Sequence, residues 1–182
     1  MIVYRRLWPT DVNAYHTHLI RLTPEQRHYR FGGMVDDGFL ERKTGDIDWM
    51  RCLGFGCFVD GELRGAVFLI RAHNGWPDEA ELAITVEAAF EGRGIGTQLA
   101  RRAITQSRNR GVRRVTLFCL SDNYRLMALA RKFDPKMTVD HGDAELTIDL
   151  SPADQISYAE EALGLMETTL SSFFESIGAK AA

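Results

Sequence analysis

The sequence predicts a single α/β domain: a mixed, twisted sheet of about seven strands with flanking helices and an added C-terminal helix. Three observations carry this. Short β-branched runs alternate with stretches of helical periodicity. The pair Asp60-Gly61 sits between two apolar runs, the strongest short hairpin signal. The stretch from Ala83 to Ala100 passes from an apolar strand through Gly92, Gly94 and Gly96 into a helix bearing Leu99, Ala100, Ala103 and Ile104. At such a junction the glycines let the backbone approach a ligand closely. The helix start adds unpaired N–H groups and the positive end of a dipole, so the junction suits a phosphate or pyrophosphate.

The elements follow in order. Ile2 to Leu7 reads as a first strand, and Pro9-Thr10-Asp11 opens a helix to about Arg21. Thr23-Pro24-Glu25-Gln26 starts a second helix, with Thr23 as cap and Gln26 three residues later. Val35 to about Lys43 reads as a short helix or an irregular segment. Phe55 to Val59 and Leu63 to Arg71 are the hairpin strands, and His73 to Pro77 is a loop. Ala80 to Val86 feeds the glycine turn, Gly96 to Arg110 is its helix, and Gly111 closes it. Val112 to Leu120 is a strand and Asn123 to Phe133 a helix. Met137 to Val139 and Glu145 to Leu150 pair around His141-Gly142-Asp143.

Residues 151–182 form a C-terminal extension. Ile156, Ala159, Leu163, Met166, Leu170, Phe173 and Ile177 recur at helical spacing. This stripe is expected to pack on the domain's own core or against a second copy.

Composition sets bounds. The chain has 182 residues, 45% hydrophobic and 26% charged, with a formal charge of −3. That balance argues against a nucleic-acid partner. The arginines between Arg101 and Arg114 are not interleaved with the aromatic residues that base stacking needs. Three cysteines without CxxC spacing read as reduced thiols, the pattern of a cytoplasmic protein. The start of the sequence does not read as a signal peptide, and no apolar run approaches a membrane span. His16 and His18 diverge on a helix, and no metal site is expected.

The glycine spacing is neither the dinucleotide fingerprint nor a nucleotide-triphosphate loop. It resembles the pyrophosphate loop of the GNAT superfamily, the acyl-coenzyme A-dependent N-acyltransferases. Their pattern is Gln/Arg-x-x-Gly-x-Gly/Ala after a strand ending in Val. Val86, Gly94 and Gly96 match it, while Glu91 stands where Gln or Arg is usual. The resemblance implies that acetyl-CoA is the cosubstrate and that the backbone of Gly92, Arg93, Gly94, Ile95, Gly96 and Thr97 holds its pyrophosphate. It further implies that the strand at Ile84 and Val86 binds the pantetheine arm through peptide groups, and that Asn123 contacts the coenzyme while capping its helix.

Glu79 and Glu81 are the carboxylates of interest. They share one strand face, with Leu82, Ile84 and Val86 on the other. An alkyl amine is mostly protonated at neutral pH and must lose a proton before attacking a thioester. The resemblance favours Glu81 as the base. Ala130 occupies the position where many relatives carry a thiolate-protonating tyrosine. An alanine there, and the run Leu22 to Phe31, are similar to the acetyltransferase domains of bacterial protein-lysine acetyltransferases. The resulting expectation is an N-acetyltransferase acting on an amine, with protein lysine ahead of a small amine. A non-catalytic acyl-CoA sensor is the third reading.

Overall fold

The structure, a computed structural model, describes residues 1–71 and 78–178, with side chains through Met166. The expected loop at His73 to Pro77 falls outside these residues. Seven strands form one sheet: β1 (Ile2–Leu7), β2 (Cys52–Val59), β3 (Glu62–Arg71), β4 (Glu79–Val86), β5 (Arg114–Leu120), β6 (Lys136–Asp140) and β7 (Asp143–Asp149). Their order is β1-β2-β3-β4-β5-β7-β6. Every pairing is antiparallel except β4 with β5. The helices are α1 (Val12–Ile20), α2 (Pro24–Phe31), α3 (Asp37–Gly45), α4 (Ile95–Asn109), α5 (Tyr124–Ala130) and α6 (Gln155–Gly178).

Local chemistry explains most boundaries. Thr23 and Gln26 form the expected capping box of α2. The Asp36 side chain accepts from Phe39 N–H at 2.7 Å, which settles residues 37–45 as a helix. Asp60 and Gly61 take φ of 50° and 82°, the mirror-image turn that matches strand twist. β2 begins at Cys52, earlier than the expected Phe55, because Cys52 and Leu53 pair with Ile70 and Leu69. β5 begins at Arg114, later than expected. The N–H groups of Arg113 and Arg114 instead donate to Asp78 O just before β4.

The sheet is covered on both faces, so β3 is buried on both and its middle is continuously apolar. Val67, Leu69 and Leu82 pack with Ile95 and Leu99 of α4 on one side. Leu19, Leu40, Leu63 and Phe68 fill the other, beneath α1 to α3. A Cβ at Gly65 would lie 3.1 Å from Ile95 and 3.2 Å from Leu99, so this glycine lets α4 settle closely on β3.

Of the two packing roles expected for the C-terminal helix, the described part of the stripe does not take the first: Ile156, Leu163 and Met166 are 71%, 61% and 63% exposed. Helix α6 instead lies against α4 and β1 through polar side chains. Ser157 is fully buried, its hydroxyl donating to Asn109 Oδ1 at 2.6 Å. Asn109 Nδ2 donates to Ser157 O at 3.0 Å and to Glu161 Oε2 at 2.6 Å. Arg110 pairs with Glu161 at 3.3 Å. Periodicity located an amphipathic helix but could not tell which side docks, because α4 presents polar partners there. The side chains of Leu170, Phe173 and Ile177 lie outside the description.

Replacing Asn109 by Leu removes one hydrogen bond each from the Ser157 hydroxyl, the Ser157 carbonyl and the Glu161 carboxylate, leaving Asp154 and Arg110 as partners of the hydroxyl and the carboxylate. We expect a loss of about 1–3 kcal/mol in stability, read by urea unfolding. An unchanged midpoint would show that α6 is held by something else.

Candidate active site

The parallel pairing of β4 with β5 is short. It joins Glu79 to Arg114, Ala80 to Val115 and Glu81 to Thr116, and then stops. Beyond Glu81 the two strands diverge, β4 remaining bound to β3 and β5 to β7. A cavity of about 990 Å³ opens in the gap. Its walls come from β4, the glycine turn, α2, α5 and the β6–β7 hairpin.

Strand alternation determines which peptide groups face the gap. Glu87 N–H donates to Arg64 O at 2.9 Å, towards β3. The peptide groups of Val86 and Ile84 therefore lie on the opposite edge, where β5 has moved away. Val86 O accepts from Gln26 Nε2 at 2.9 Å, which ties α2 to this edge.

The glycine turn completes one end. Gly92 and Gly94 have φ of 72° and 80°, and a Cβ at either would meet nothing within 4 Å, so their backbone borders open space. Gly94 caps α4, and the first helical bond runs from Gln98 N–H to Gly94 O at 3.0 Å. The N–H groups of Ile95, Gly96 and Thr97 thus have no helical acceptor. Lys132 Nζ donates to Thr97 Oγ1 at 2.9 Å, bringing a cation to the same helix start. Gly96 serves packing instead: a Cβ there would lie 3.1 Å from Leu129 of α5. Backbone donors, a helix N-terminus and Lys132 around open space fit a pyrophosphate.

The sequence-predicted residues largely converge. Glu81, Ile84, Val86, Gly94, Thr97 and Asn123 line the cavity, as do Gly92, Ile95 and Gly96. Asn123 is 9% exposed and its Oδ1 accepts from Leu126 N–H at 3.1 Å, a helix cap on the cavity wall. Arg93 is the exception: its guanidinium lies over the Phe90 ring, 5.1 Å from the centroid. Glu79 is exposed and pairs with Arg114 at 2.5 Å, outside the cavity. Glu91 is held by Gln26 Nε2 at 2.6 Å and Arg125 at 2.9 Å, so protein donors already balance its charge. Ala130 is fully buried. Burial pushes the Cys119 thiol up, which keeps it protonated.

A buried polar cluster at the end of β4 is not among the sequence-predicted residues. Glu87 is 6% exposed and His18 fully buried. Glu87 Oε1 lies 3.1 Å from His18 Nδ1 and accepts from Arg21 Nε at 2.8 Å, while Oε2 accepts from Arg64 at 2.9 Å. His18 Nε2 lies 2.9 Å from Thr85 Oγ1, and Thr85 lines the cavity. Burial alone would raise the Glu87 carboxyl, but bonds from His18, Arg21 and Arg64 outweigh it and hold the group down to about 2. Burial holds the His18 imidazole below its ordinary value, against the pull of Glu87. One signal was available: His18 and Arg21, the residue that ends α1, are three apart and so share a helix face, with an acid directly after an apolar strand.

Comparison with known proteins agrees with this geometry. Residues 5–134 match the acetyltransferase (GNAT) family. An acetyltransferase of Pseudomonas aeruginosa is 29% identical over 118 residues, 63% of this chain and 63% of the relative. The match therefore spans a little under two thirds of that relative's length. Among solved structures, the GNAT domain of S. lividans PAT superposes with a TM-score of 0.69 at 24% identity, covering 81% of this chain and 89% of that one. The PaiA N-acetyltransferase of Thermoplasma acidophilum, solved in complex with coenzyme A, gives 0.63 at 19% identity, covering 82% and 99%. At these identities the structural likenesses concern the fold. The chain belongs to the acetyltransferase (GNAT) family.

Glu87→Gln should lower stability by about 2–3 kcal/mol, less than a wholly buried pair because Arg21 and Arg64 reach solvent. The folded carboxyl titrates below its unfolded value. Its contribution is therefore complete above about 4.5 and lost as pH falls towards about 2. The stability gap between wild type and variant, measured by denaturant titration, should be constant near neutrality and close across that acid window. A gap unchanged throughout would contradict the assignment.

Proposed function

We propose that the protein transfers an acetyl group from acetyl-coenzyme A to an amine. The observation that carries this reading is the meeting of three features in one cavity: the unpaired edge of β4, the exposed helix start at Gly94–Thr97, and the Glu81 carboxylate. The pyrophosphate would rest on the Gly92–Thr97 backbone, with Arg93 contributing its peptide group. The pantetheine arm would follow the peptide groups of Ile84 and Val86, and Asn123 would border it.

Transfer is direct, without an acyl-enzyme. Glu81 receives the amine's proton, directly or through a water, and the freed lone pair attacks the thioester carbonyl. The tetrahedral intermediate collapses with cleavage of the C–S bond. A thiol with a pKa of about 8.5 leaves without a dedicated acid, which suits an alanine at position 130.

A protein lysine is the acceptor we favour. The support is the Leu22–Phe31 resemblance together with Phe118, which lines the cavity yet is 59% exposed, a surface suited to a peptide flank. A second copy is the proposed partner of α6, supported by the exposure of Ile156, Leu163 and Met166. A monomer by light scattering at working concentration would remove that partner.

Two variants test the reaction. Glu81→Gln should retain coenzyme binding and lose roughly 10²–10⁴-fold in turnover at neutral pH. The deficit should narrow as pH rises and more amine is already neutral. Wild-type turnover would remove Glu81 from the chemistry. Gly94→Val, in which a β-branched residue must adopt φ near 80°, should weaken coenzyme A at least about tenfold by calorimetry. Equal affinity in a folded variant would contradict the backbone cradle. Coenzyme binding without turnover on peptides and small amines would favour a sensor.

A further inference from the structure

The buried cluster beside the cavity fixes the direction of a chain of hydrogen bonds. Glu87 is acceptor-only, so the His18 Nδ1 that lies 3.1 Å from it must carry a proton. The other ring nitrogen could be protonated only in the imidazolium. Charge argues against that: Glu87 and Glu62 already balance Arg21 and Arg64 in this cluster. A charged His18, wholly buried, would leave an excess cation in the interior. His18 Nε2 is therefore a lone pair, and Thr85 Oγ1, 2.9 Å away, must donate to it. The threonine's single proton points inward, so its two lone pairs are all the hydroxyl can offer a further partner, and Thr85 is among the residues that line the cavity.

We propose that Thr85 is a dedicated hydrogen-bond acceptor in the cleft, held in that state by His18 and Glu87, and that it receives an N–H donor of a bound substrate. Two substrates of this reaction class carry such a group: the amides of the pantetheine arm and the acceptor amine. A hydroxyl free to rotate would serve donors and carbonyl acceptors alike. One with its proton committed favours N–H groups and disfavours a carbonyl at the same place. Thr85 is the binding residue here, and His18 and Glu87 are positioning residues. The inference rests on the acetyltransferase reading.

The experiment compares wild type with Thr85→Val, which keeps the side-chain shape, and Thr85→Ser, which keeps the hydroxyl. Melting temperature confirms folding. Calorimetry gives coenzyme A affinity, and steady-state kinetics gives KM for acetyl-CoA and for the amine. Thr85→Val should weaken one substrate by about 3–10-fold, the size of a lost neutral hydrogen bond, and Thr85→Ser should restore it to within about twofold. A loss in coenzyme A affinity assigns the donor to pantetheine. A loss confined to the amine's KM assigns it to the acceptor. Nitrogen-15 NMR of labelled histidine should show His18 neutral with the proton on Nδ1. A folded Thr85→Val with both affinities unchanged overturns the inference while leaving the acetyltransferase reading intact, as does a proton on His18 Nε2. A wild-type protein that binds no coenzyme A overturns the reading and this inference together.

Discussion

Three residue pairs join β4 to β5, and everything about the site depends on the pairing ending there. A parallel pair that continued to Val86 would saturate the peptide groups of the central strand and close the cavity. Because each strand keeps its other neighbour, the gap does not unravel the sheet: β3 holds β4 through Val86 and β7 holds β5 through Leu120. The unpaired edge is thus a stable feature of a folded domain, and unsatisfied backbone groups are a standing invitation to a ligand that can pair with them.

The surroundings keep that edge in place. Gln26 caps its own helix and also grips Val86 O and Glu91, so α2 is fastened to the strand end and to the glycine turn at once. Glu87 fastens the same strand end from below, joining α1 through His18 and Arg21 and β3 through Arg64. Glu91, an acidic residue in a loop suited to an anion, is made tolerable by Gln26 and Arg125. The departure from the family pattern at this position is therefore matched by partners on two other elements.

Much of this was legible in the sequence. The strand-to-glycine-to-helix junction showed as a change of period around fixed turn residues, and the Asp60-Gly61 hairpin and the Thr23–Gln26 cap are local chemistry. Glu81 and Asn123 come from a family resemblance, and the fold sets both along the same cavity. What could not be read depended on non-local pairing. Glu87 is an acid directly after a strand, and only the return of α1 and β3 to its side makes it buried. Which side of α6 docks depends on the same kind of pairing: hydrophobicity predicts burial only where the facing surface is apolar, and Asn109 and Arg110 are not.

We propose that one bound coenzyme occupies the β4 edge and the helix start together. Amide hydrogen exchange with and without coenzyme A measures this directly. Exchange should slow at Ile84 and Val86 and at Gly94 to Thr97, with the β3-facing amides of Ala83 and Thr85 changing little. Protection that avoids the β4 edge, or that falls instead on α6 or β1, would contradict the account.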